Sequence, residues 1–495
     1  MTSIVELSSG AVRGRQFDGH LAFRGIPYAA PPVGERRWRA PAPVEPWSGT
    51  RDATAPGNPA PQRARSLTEI TALDEDCLTL DVVVPEGPRA GRPVVVWLHG
   101  GGGTNGGAAT RDPHRFAVTG DVVVVTPNFR LGVLGCFGHP GLAGGGTFGL
   151  QDQQAVLGWV RREIARFGGD PANVTLAGES YGALMVAAHL VAPGSAGLFH
   201  RAVLQSAFSV LEPTPAHLFI PGVPALPPRW SPAAELDRLG AAVAAEHGWV
   251  APGSDPESAL ARLRRVPVAD LLQATDAFIR PAFGGPALPE SPAVALPAGR
   301  FHRVPVLLGT TRDEARFFVE LFGADHPVTA ENLPRLLAEA FGDAADEVAA
   351  RYPPDRFPTP ALAWSRLSTD RAWARPTWDL ARCLAARTGT WFYEFADPDA
   401  PPILPGTPSG AQHGSELGYQ FDLPGAGPLG ADQRALGDAM NRYWTAFAAH
   451  GDPARADLPA WPGFGTGHVQ SLAPGRIGRV DYRGEHALDF WSAVP

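Results

Sequence analysis

Lysine is absent from this sequence. All 42 basic residues other than histidine are arginine. Without a lysine side chain the protein cannot form a lysine Schiff base or use a serine–lysine dyad, which excludes one class of catalytic mechanism. The arginine-only basic set, with abundant glycine, proline and alanine, is typical of a GC-rich bacterial genome and indicates no function by itself.

Cysteine is almost as scarce. The three cysteines, Cys77, Cys136 and Cys383, are odd in number, and none belongs to a C-x-x-C pair. This spacing argues against a disulfide framework and against a zinc site. The metalloprotease pattern H-E-x-x-H is also missing, so we expect free thiols and no metal.

Long apolar runs and clusters of positive charge are missing too. No apolar stretch approaches the roughly 18 residues of a membrane span, and the amino terminus lacks a basic segment followed by an apolar one. The net charge is -8, and no run of five basic residues occurs. We therefore expect neither nucleic acid nor a membrane as a partner. We also expect the protein to be cytoplasmic, although a chain from which a leader had been removed would show the same sequence features. The oligomeric state stays open.

The residues that are present describe a folded α/β protein. Hydrophobic residues make up 44% and charged residues 19% of the 495 positions, which is ordinary for a protein with a large core. β-Branched runs such as "RPVVVWLHG" and "GDVVVVTPNF" alternate with helical periodicity such as "GLQDQQAVLGWVRREIARFGGDP". This alternation predicts a mostly parallel central sheet flanked by helices. We expect one domain over residues 1–495, with a helical cap inserted at about 210–300.

A serine between two glycines is the first sign of chemistry. The stretch "LAGESYGAL" places Ser180 between Gly178 and Gly182, directly after the strand-like "NVTLA". Glycines two places either side of a serine fit a sharp strand-to-helix turn that exposes the hydroxyl above a sheet. Alone, this short pattern is weak evidence for a nucleophile.

A glycine-rich loop upstream strengthens that interpretation. The stretch "WLHGGGGTNGG" follows a buried-strand pattern, and consecutive glycines let backbone N–H groups converge on one point. In α/β hydrolases such a loop and the residue after the nucleophile hold the oxyanion. The N–H groups of Gly101, Gly102 and Tyr181 are therefore the predicted oxyanion hole, and Ser180 the predicted nucleophile.

The chain resembles the type-B carboxylesterase family, the cholinesterase-like branch of the α/β hydrolases, from about Phe23 to Phe464. The resemblance is carried by "FRGIPYAAPPVGERRW", "DEDCLTLDV", "VWLHGGGGTNGG", "VVVVTPNFRLGVLG", "FGLQDQQAVLGWVRREIARFGGDPANVTLAGESYGA", "LQSA", "GTTRDEARFF" and "AQHGSELGYQF". It implies the α/β-hydrolase fold, a Ser–Glu–His triad, a small-molecule ester as partner, and ester hydrolysis without a cofactor.

The same resemblance assigns the other members of the triad. The acid falls on Glu314 in "GTTRDEARFF", with Asp313 as its competitor next door. The base falls on His413 in "AQHGSEL", since the family's histidine is followed at this spacing by a glutamate, here Glu416. The order serine, acid, histidine along the chain is the one expected of α/β hydrolases.

Further family-like positions have structural interpretations. The resemblance implies ion pairs between Arg37 and Glu75 and between Arg130 and Asp152, which tie loops to the sheet. His99, inside the glycine-rich loop, is expected to anchor that loop.

Ser206 of "LQSA" is a further family-like position and is expected to be a hydrogen-bonding neighbour of the substrate site. The chain departs from its family at other positions. Gly103 stands where many relatives have a larger residue and should open one side of the pocket. Tyr181 replaces a small alanine and should fill another side, and Ala315 replaces glycine. Cys77, which pairs with an upstream cysteine in secreted relatives, has no such partner here.

These observations favour an ester hydrolase acting on small to medium apolar or aryl esters. The same acyl-enzyme chemistry could serve biosynthetic acyl transfer or lactone formation, and the sequence does not separate the two. A non-catalytic binding protein of this fold is disfavoured because Ser180, Glu314 and His413 are all present.

Overall fold

A large mixed β-sheet organises the computed structural model, which describes residues 2–64, 70–213, 217–223, 229–404 and 406–494. The strands are β1 (Thr2–Leu7), β2 (Gly10–Phe17), β3 (His20–Pro27), β4 (Thr50–Asp52), β5 (Thr79–Pro85), β6 (Arg92–Leu98), β7 (Val123–Pro127), β8 (Gly169–Glu179), β9 (Arg201–Gln205), β10 (Ser231–Pro232), β11 (Ala282–Phe283), β12 (Val306–Thr311), β13 (Thr390–Phe395), β14 (Gln470–Ala473) and β15 (Arg476–Arg479).

The centre of this sheet is parallel and its two ends are antiparallel. The strand order is β1-β2-β3-β5-β7-β6-β8-β9-β12-β13-β14-β15, with β4 paired to β2. Neighbours from β7 through β14 run parallel, whereas β1 to β7 on one side and β14–β15 on the other are joined by antiparallel pairs. The predicted mostly parallel central sheet is confirmed, and strands β1, β2, β3 and β5 form an antiparallel edge beside it.

Helices cover both faces of this sheet. They are α1 (His114–Gly120), α2 (Gly132–Gly135), α3 (Phe148–Glu163), α4 (Tyr181–Val191), α5 (Ala233–Glu246), α6 (Pro256–Leu263), α7 (Val268–Leu271), α8 (Pro292–Ala295), α9 (Glu314–Leu321), α10 (Leu333–Phe341), α11 (Ala345–Arg351), α12 (Pro360–Thr369), α13 (Arg375–Ala385), α14 (Leu417–Gln420), α15 (Ala431–His450), α16 (Tyr482–Glu485) and α17 (Leu488–Ala493). Their coverage explains the continuous apolar run of β6, since a strand buried on both faces needs no polar alternation.

Alternate residues of β6 enter two different cores. Val94, Val96 and Leu98 pack in one apolar cluster, and Val95 and Trp97 pack in the cluster on the opposite face. This follows from the two-residue period of a strand. The carboxyl end of β6 is thereby fixed, and the glycine-rich loop starts there.

The described parts of the predicted cap segment contain β10, β11 and helices α5 to α8. Leu236 of α5, Leu260 and Leu263 of α6 and Leu271 of α7 share an apolar cluster with Phe137 of the loop after α2. This cluster is separate from the two clusters that line the sheet, so the segment has an apolar core of its own against the body of the protein.

Both expected ion pairs are present. Arg37 Nε donates to Glu75 Oε1 at 2.7 Å, and its Nη1 also donates to the carbonyl of Val266 near the cap helices. Arg130 Nε and Nη2 donate to the two carboxylate oxygens of Asp152 at 2.8 and 2.7 Å. These bidentate pairs are buried and structural, as the resemblance implied.

The three cysteines are free thiols. Among the described residues, no helix combines the length and the apolar character that crossing a membrane requires. Nor does the described part of the chain bring together three histidine, cysteine or carboxylate side chains in a way that could hold a metal ion.

Candidate active site

Ser180 occupies a strained turn between β8 and α4. Its backbone lies at φ 56° and ψ -120°, a region that residues other than glycine rarely adopt, and its N–H donates to the carbonyl of Gln205 at 2.9 Å. A side chain on Gly178 would come within 2.5 Å of the backbone of Gly182, and one on Gly182 within 2.0 Å of the carbonyl oxygen of Leu98. Both glycines are therefore required for the turn to close, because strand and helix meet there with no room for a Cβ.

His413 and Glu314 come together from distant parts of the chain. His413 Nδ1 lies 2.6 Å from Glu314 Oε2, the distance of a short charge-assisted hydrogen bond. The other carboxylate oxygen of Glu314 accepts the N–H of Thr311 at 2.9 Å, which fixes the carboxylate at the start of α9. Asp313 instead faces Arg312 at 3.1 Å. The geometry therefore distinguishes the two neighbouring acids in favour of Glu314.

No hydrogen bond joins Ser180 Oγ to His413 in the part of the chain that the structure describes. His413 Nε2 instead lies 3.3 Å from Oε1 of Glu179, the residue directly before the serine. Catalytic hydrogen bonds are often long or misaligned in ligand-free enzymes and tighten when substrate binds. Glu179 is not among the residues that the sequence marks for the site, although it occupies the first variable position of the G-x-S-x-G pattern.

Three buried carboxylates set the charge of His413. Burial by itself lowers the pKa of this histidine, but the charge and hydrogen bond of Glu314, followed by the charges of Glu179 and Glu416, outweigh burial and raise the pKa to about 9. Burial, followed by the charges of Glu179 and Glu314, raises the pKa of Glu416 to about 8. Its Oε1 accepts a hydrogen bond from Gln205 Nε2 at 3.3 Å.

Arg111 is a buried cation beside this cluster that the sequence did not reveal. Its Nη2 lies 3.8 Å from Glu179 Oε2, and its side chain is only 15% exposed. Burial lowers the pKa of Arg111, while the charges of Glu179 and Glu416 act in the opposite direction. No motif marks this residue, because its position beside the carboxylates is produced by the fold of the glycine-rich loop.

The glycine-rich loop presents free N–H groups next to the serine. Among the described residues, no acceptor is bonded to the N–H of Gly101 or Gly102, while Gly101 supplies its carbonyl to the N–H groups of Thr104 and Asn105. Gly101 lies at φ 99°, and a Cβ there would fall 2.1 Å from the carbonyl oxygen of Asn105, so only glycine fits. Tyr181 is the first residue of α4, whose initial N–H groups lack partners within the helix. The loop and the start of α4 thus present backbone N–H donors beside Ser180.

The ring of Tyr181 lies against Gly103, the glycine that is expected to open one side of the pocket. A Cβ built on Gly103 would lie 2.7 Å from Tyr181 Cε2, so the tyrosine ring fills the space that the glycine leaves. Tyr181 is 7% exposed, and its hydroxyl lies 3.7 Å from Cys136 Sγ. Gly103 and Tyr181 therefore form one packed unit on the same side of the site. From the sequence alone, these two departures from the family were expected to act on different sides of the pocket.

Two further polar residues near the site, Ser206 and His99, differ in whether their side chains have contacts. Ser206 is buried at φ 54°, and its Oγ has no hydrogen-bond partner among the described residues, so its expected role beside the substrate stays a prediction. His99 stacks on Phe129 with ring centroids 4.4 Å apart, and its Nδ1 lies 2.9 Å from the carbonyl oxygen of Gly100. Burial lowers the pKa of His99 to about 4, which fits a neutral residue that anchors the loop.

The fold and this site define the class of protein. A mostly parallel sheet, with a serine turn at the end of one strand and an acid and a histidine following later along the chain, is the arrangement of an α/β hydrolase. A sequence profile described as "Carboxylesterase family" matches residues 1–491. The chain belongs to the carboxylesterase family and is a carboxylesterase.

Named relatives agree with this family. The chain is 33% identical to the para-nitrobenzyl esterase of Bacillus subtilis, over 93% of this chain and 92% of that protein. It is also 33% identical to the fumonisin B1 esterase of Sphingopyxis macrogoltabida, over 92% and 83% of the two chains. Among solved structures, a carboxylesterase of Geobacillus stearothermophilus superimposes with a TM-score of 0.81 at 30% identity, covering 98% of this chain and 99% of the other.

Proposed function

We propose that this carboxylesterase acts through a Ser180–His413–Glu314 triad and an acyl-enzyme intermediate. The observation that carries the proposal is the 2.6 Å contact between His413 Nδ1 and Glu314 Oε2, in a site where Ser180 is held at a strained strand-to-helix turn. A histidine bonded to a buried carboxylate through Nδ1 keeps Nε2 for proton transfer with a nucleophile.

Each residue then has one role in the reaction. His413 Nε2 takes the proton of Ser180 Oγ as the oxygen attacks the ester carbonyl, and Glu314 stabilises the imidazolium. The N–H groups of Gly101, Gly102 and Tyr181 stabilise the negative oxygen of the tetrahedral intermediate. His413 returns the proton to the departing alcohol, and water, activated by the same histidine, then releases the acid and restores Ser180.

The proton transfer requires a small rearrangement of His413. Its Nε2 faces Glu179 at 3.3 Å, and its pKa is raised to about 9. The base must be neutral, so substrate binding has to turn Nε2 toward Ser180 and weaken its contact with Glu179. We expect activity to increase with pH across the neutral range for this reason.

The substrates that we propose are small to medium apolar or aryl esters. Aromatic rings next to the base support this class, since Phe318 and Trp373 have centroids 4.9 and 6.5 Å from that of His413. We propose in addition that the segment of about 210–300 acts as a cap over this site, within one domain of residues 1–495. Cell fractionation would test the cytoplasmic location, which stays a prediction.

A fluorophosphonate probe and p-nitrophenyl ester hydrolysis in one sample test the mechanism. We expect a single adduct on Ser180, with activity lost in proportion to labelling. Ser180→Ala should abolish both signals, and Ser258→Ala, an exposed serine on a cap helix, should change neither. Turnover retained by purified Ser180→Ala would remove the serine from the proposal. Transfer of the acyl group to added alcohols in preference to water would instead favour the acyl-transfer alternative.

A further inference from the structure

Two arginines of the cap segment, Arg229 and Arg280, lie at the same end of a short parallel ladder. Strand β10 pairs in parallel with β11 in the register Ser231 to Ala282, and the N–H of Ser231 donates to the carbonyl of Pro281 at 3.1 Å. Arg229 and Arg280 each precede the paired residues Ser231 and Ala282 by two positions, so both lie at the same end of this small parallel ladder. The charge of Arg280 also contributes to the lowered pKa of Arg229.

Arg229 contacts the aromatic wall beside the proposed base. Its guanidinium carbon lies 4.0 Å from the centroid of the Phe208 ring. Phe208 stacks on Trp373 at 4.9 Å, and Trp373 approaches His413 at 6.5 Å. Phe208 comes just after Ser206 at the end of β9, so this wall lies at the same edge of the sheet as Ser180.

Arg280 approaches the site from the side of Tyr181. Phe278, two residues earlier, packs against Phe137 with centroids 5.0 Å apart. The neighbour of Phe137 is Cys136, whose Sγ lies 3.7 Å from the hydroxyl of Tyr181. Burial raises the pKa of the Cys136 thiol to about 12, and the charge of Arg280 acts against that rise. Arg229 thus contacts the Phe208 wall, and the charge of Arg280 acts on the cysteine that contacts Tyr181.

Neither arginine has a carboxylate partner in the described part of the chain. Arg229 Nη2 and Arg280 Nε are buried atoms without a hydrogen bond. Glu235 acts on Arg280 only at a distance, from an exposed position on α5. Burial, followed by the charge of Arg280, lowers the pKa of Arg229 to about 9. Two adjacent cations without a counterion are costly to bury, and a ligand carboxylate would relieve that cost.

We propose that Arg229 and Arg280 form an anion subsite that selects esters carrying a carboxylate group. The inference rests on the proposed esterase mechanism and adds to it the charge of the substrate. Guanidinium groups bind carboxylates with paired, directional hydrogen bonds, so the pair would hold the anionic end of the ester while its carbonyl lies at Ser180. The apolar part of the substrate would pack on Phe208 and Trp373.

Matched esters test the subsite in both possible orientations. Mono-p-nitrophenyl adipate carries its carboxylate on the acyl side, and 4-carboxyphenyl hexanoate carries it on the leaving group, while p-nitrophenyl hexanoate and phenyl hexanoate are the neutral references. The readout is the ratio of kcat/KM for the anionic ester to that for its neutral reference. Because both members are measured on one sample, this ratio does not depend on how much protein is folded.

We expect the wild-type ratio to exceed that of the variants for one of the two anionic esters. Arg229→Met and Arg280→Met should each lower this ratio by about 10- to 100-fold, the value of one charge-assisted hydrogen bond, while neutral ester turnover stays similar. The conservative variants Arg229→Lys and Arg280→Lys should restore part of the preference. Arg476→Met, at an exposed arginine of β15, should leave the ratio unchanged. Added salt should reduce the preference of the wild-type protein.

Equal ratios in wild type and both methionine variants, for both anionic esters, would overturn the subsite. A methionine variant that loses neutral and anionic turnover together would also overturn it, because the arginine would then serve the fold or the triad. Failure of the esterase mechanism looks different: neither neutral ester is hydrolysed and the fluorophosphonate probe leaves Ser180 unlabelled.

Discussion

The packing of Tyr181 against Gly103 makes a quantitative prediction about stability. Gly103 has φ 78°, and a Cβ there would lie 2.7, 2.9 and 3.0 Å from three carbons of the tyrosine ring. Gly103→Ala therefore combines two costs. The left-handed backbone costs about 1 to 2 kcal/mol for a residue with a Cβ, and overpacking a buried contact costs about 1 to 3 kcal/mol.

Removing the ring separates these two costs. In a Tyr181→Ala background the clash is gone, so Gly103→Ala should cost only about 1 to 2 kcal/mol, the backbone contribution. The coupling free energy of the cycle should then be about 1 to 3 kcal/mol. Tyr181→Phe keeps the ring and loses only the hydroxyl, so it should leave the full cost of Gly103→Ala in place.

Urea unfolding followed by tryptophan fluorescence provides the measurement, with thermal inactivation rates as the alternative if unfolding is irreversible. Gly91→Ala is the matched control, because Gly91 has φ 72° and no atom within 4 Å of a built Cβ. It should reproduce the backbone cost alone. Additive free energies for Gly103→Ala and Tyr181→Ala would refute the packed unit, and the pocket interpretation of Gly103 would return.

Three further predictions concern the buried charges. Glu314→Gln should lower kcat by roughly 10³- to 10⁴-fold because it removes the anion bonded to His413, whereas Asp313→Asn should leave kcat nearly unchanged; equal losses would contradict the assignment of the acid. Glu179→Gln should move the acidic limb of the kcat/KM profile to lower pH, since the charge of Glu179 raises the pKa of His413, and an unmoved limb would show that the 3.3 Å contact does not persist in solution. His486 lies 2.6 Å from a carboxylate oxygen of Asp370, and burial, which lowers its pKa, is outweighed by its carboxylate partners, which raise the pKa to about 9. This folded pKa lies above the unfolded value of about 6.5, so the charged His486 and its carboxylate partner stabilise the fold below pH 6.5, and this contribution is lost as the pH rises through about 9. His486→Gln should therefore remove on the order of 3 kcal/mol of pH-dependent stability. An identical pH dependence of Tm in the wild type and in His486→Gln would contradict this prediction.

The sequence by itself determined the elements and the local turns. Continuous β-branched patterns marked strands such as β6 and β8, and helical spacing marked α3, because these signals depend on residues close together in the chain. The glycines around Ser180 were readable for the same reason, since the turn that needs them is local. The antiparallel pairing of β5 with its neighbours β3 and β7 could not be predicted from the sequence, because strand pairing depends on contacts between residues far apart in the chain.

Only the tertiary structure decided the electrostatics and the shape of the site. Glu314 and His413 are 99 residues apart, and nothing local distinguishes Glu314 from Asp313 until the fold directs one toward the histidine. Arg111 and the pair Arg229–Arg280 carry no motif, and their burial beside the site arises from packing between distant segments. Charge, burial and side-chain volume act through space, so their effects on Ser180 became visible only once those segments were brought together.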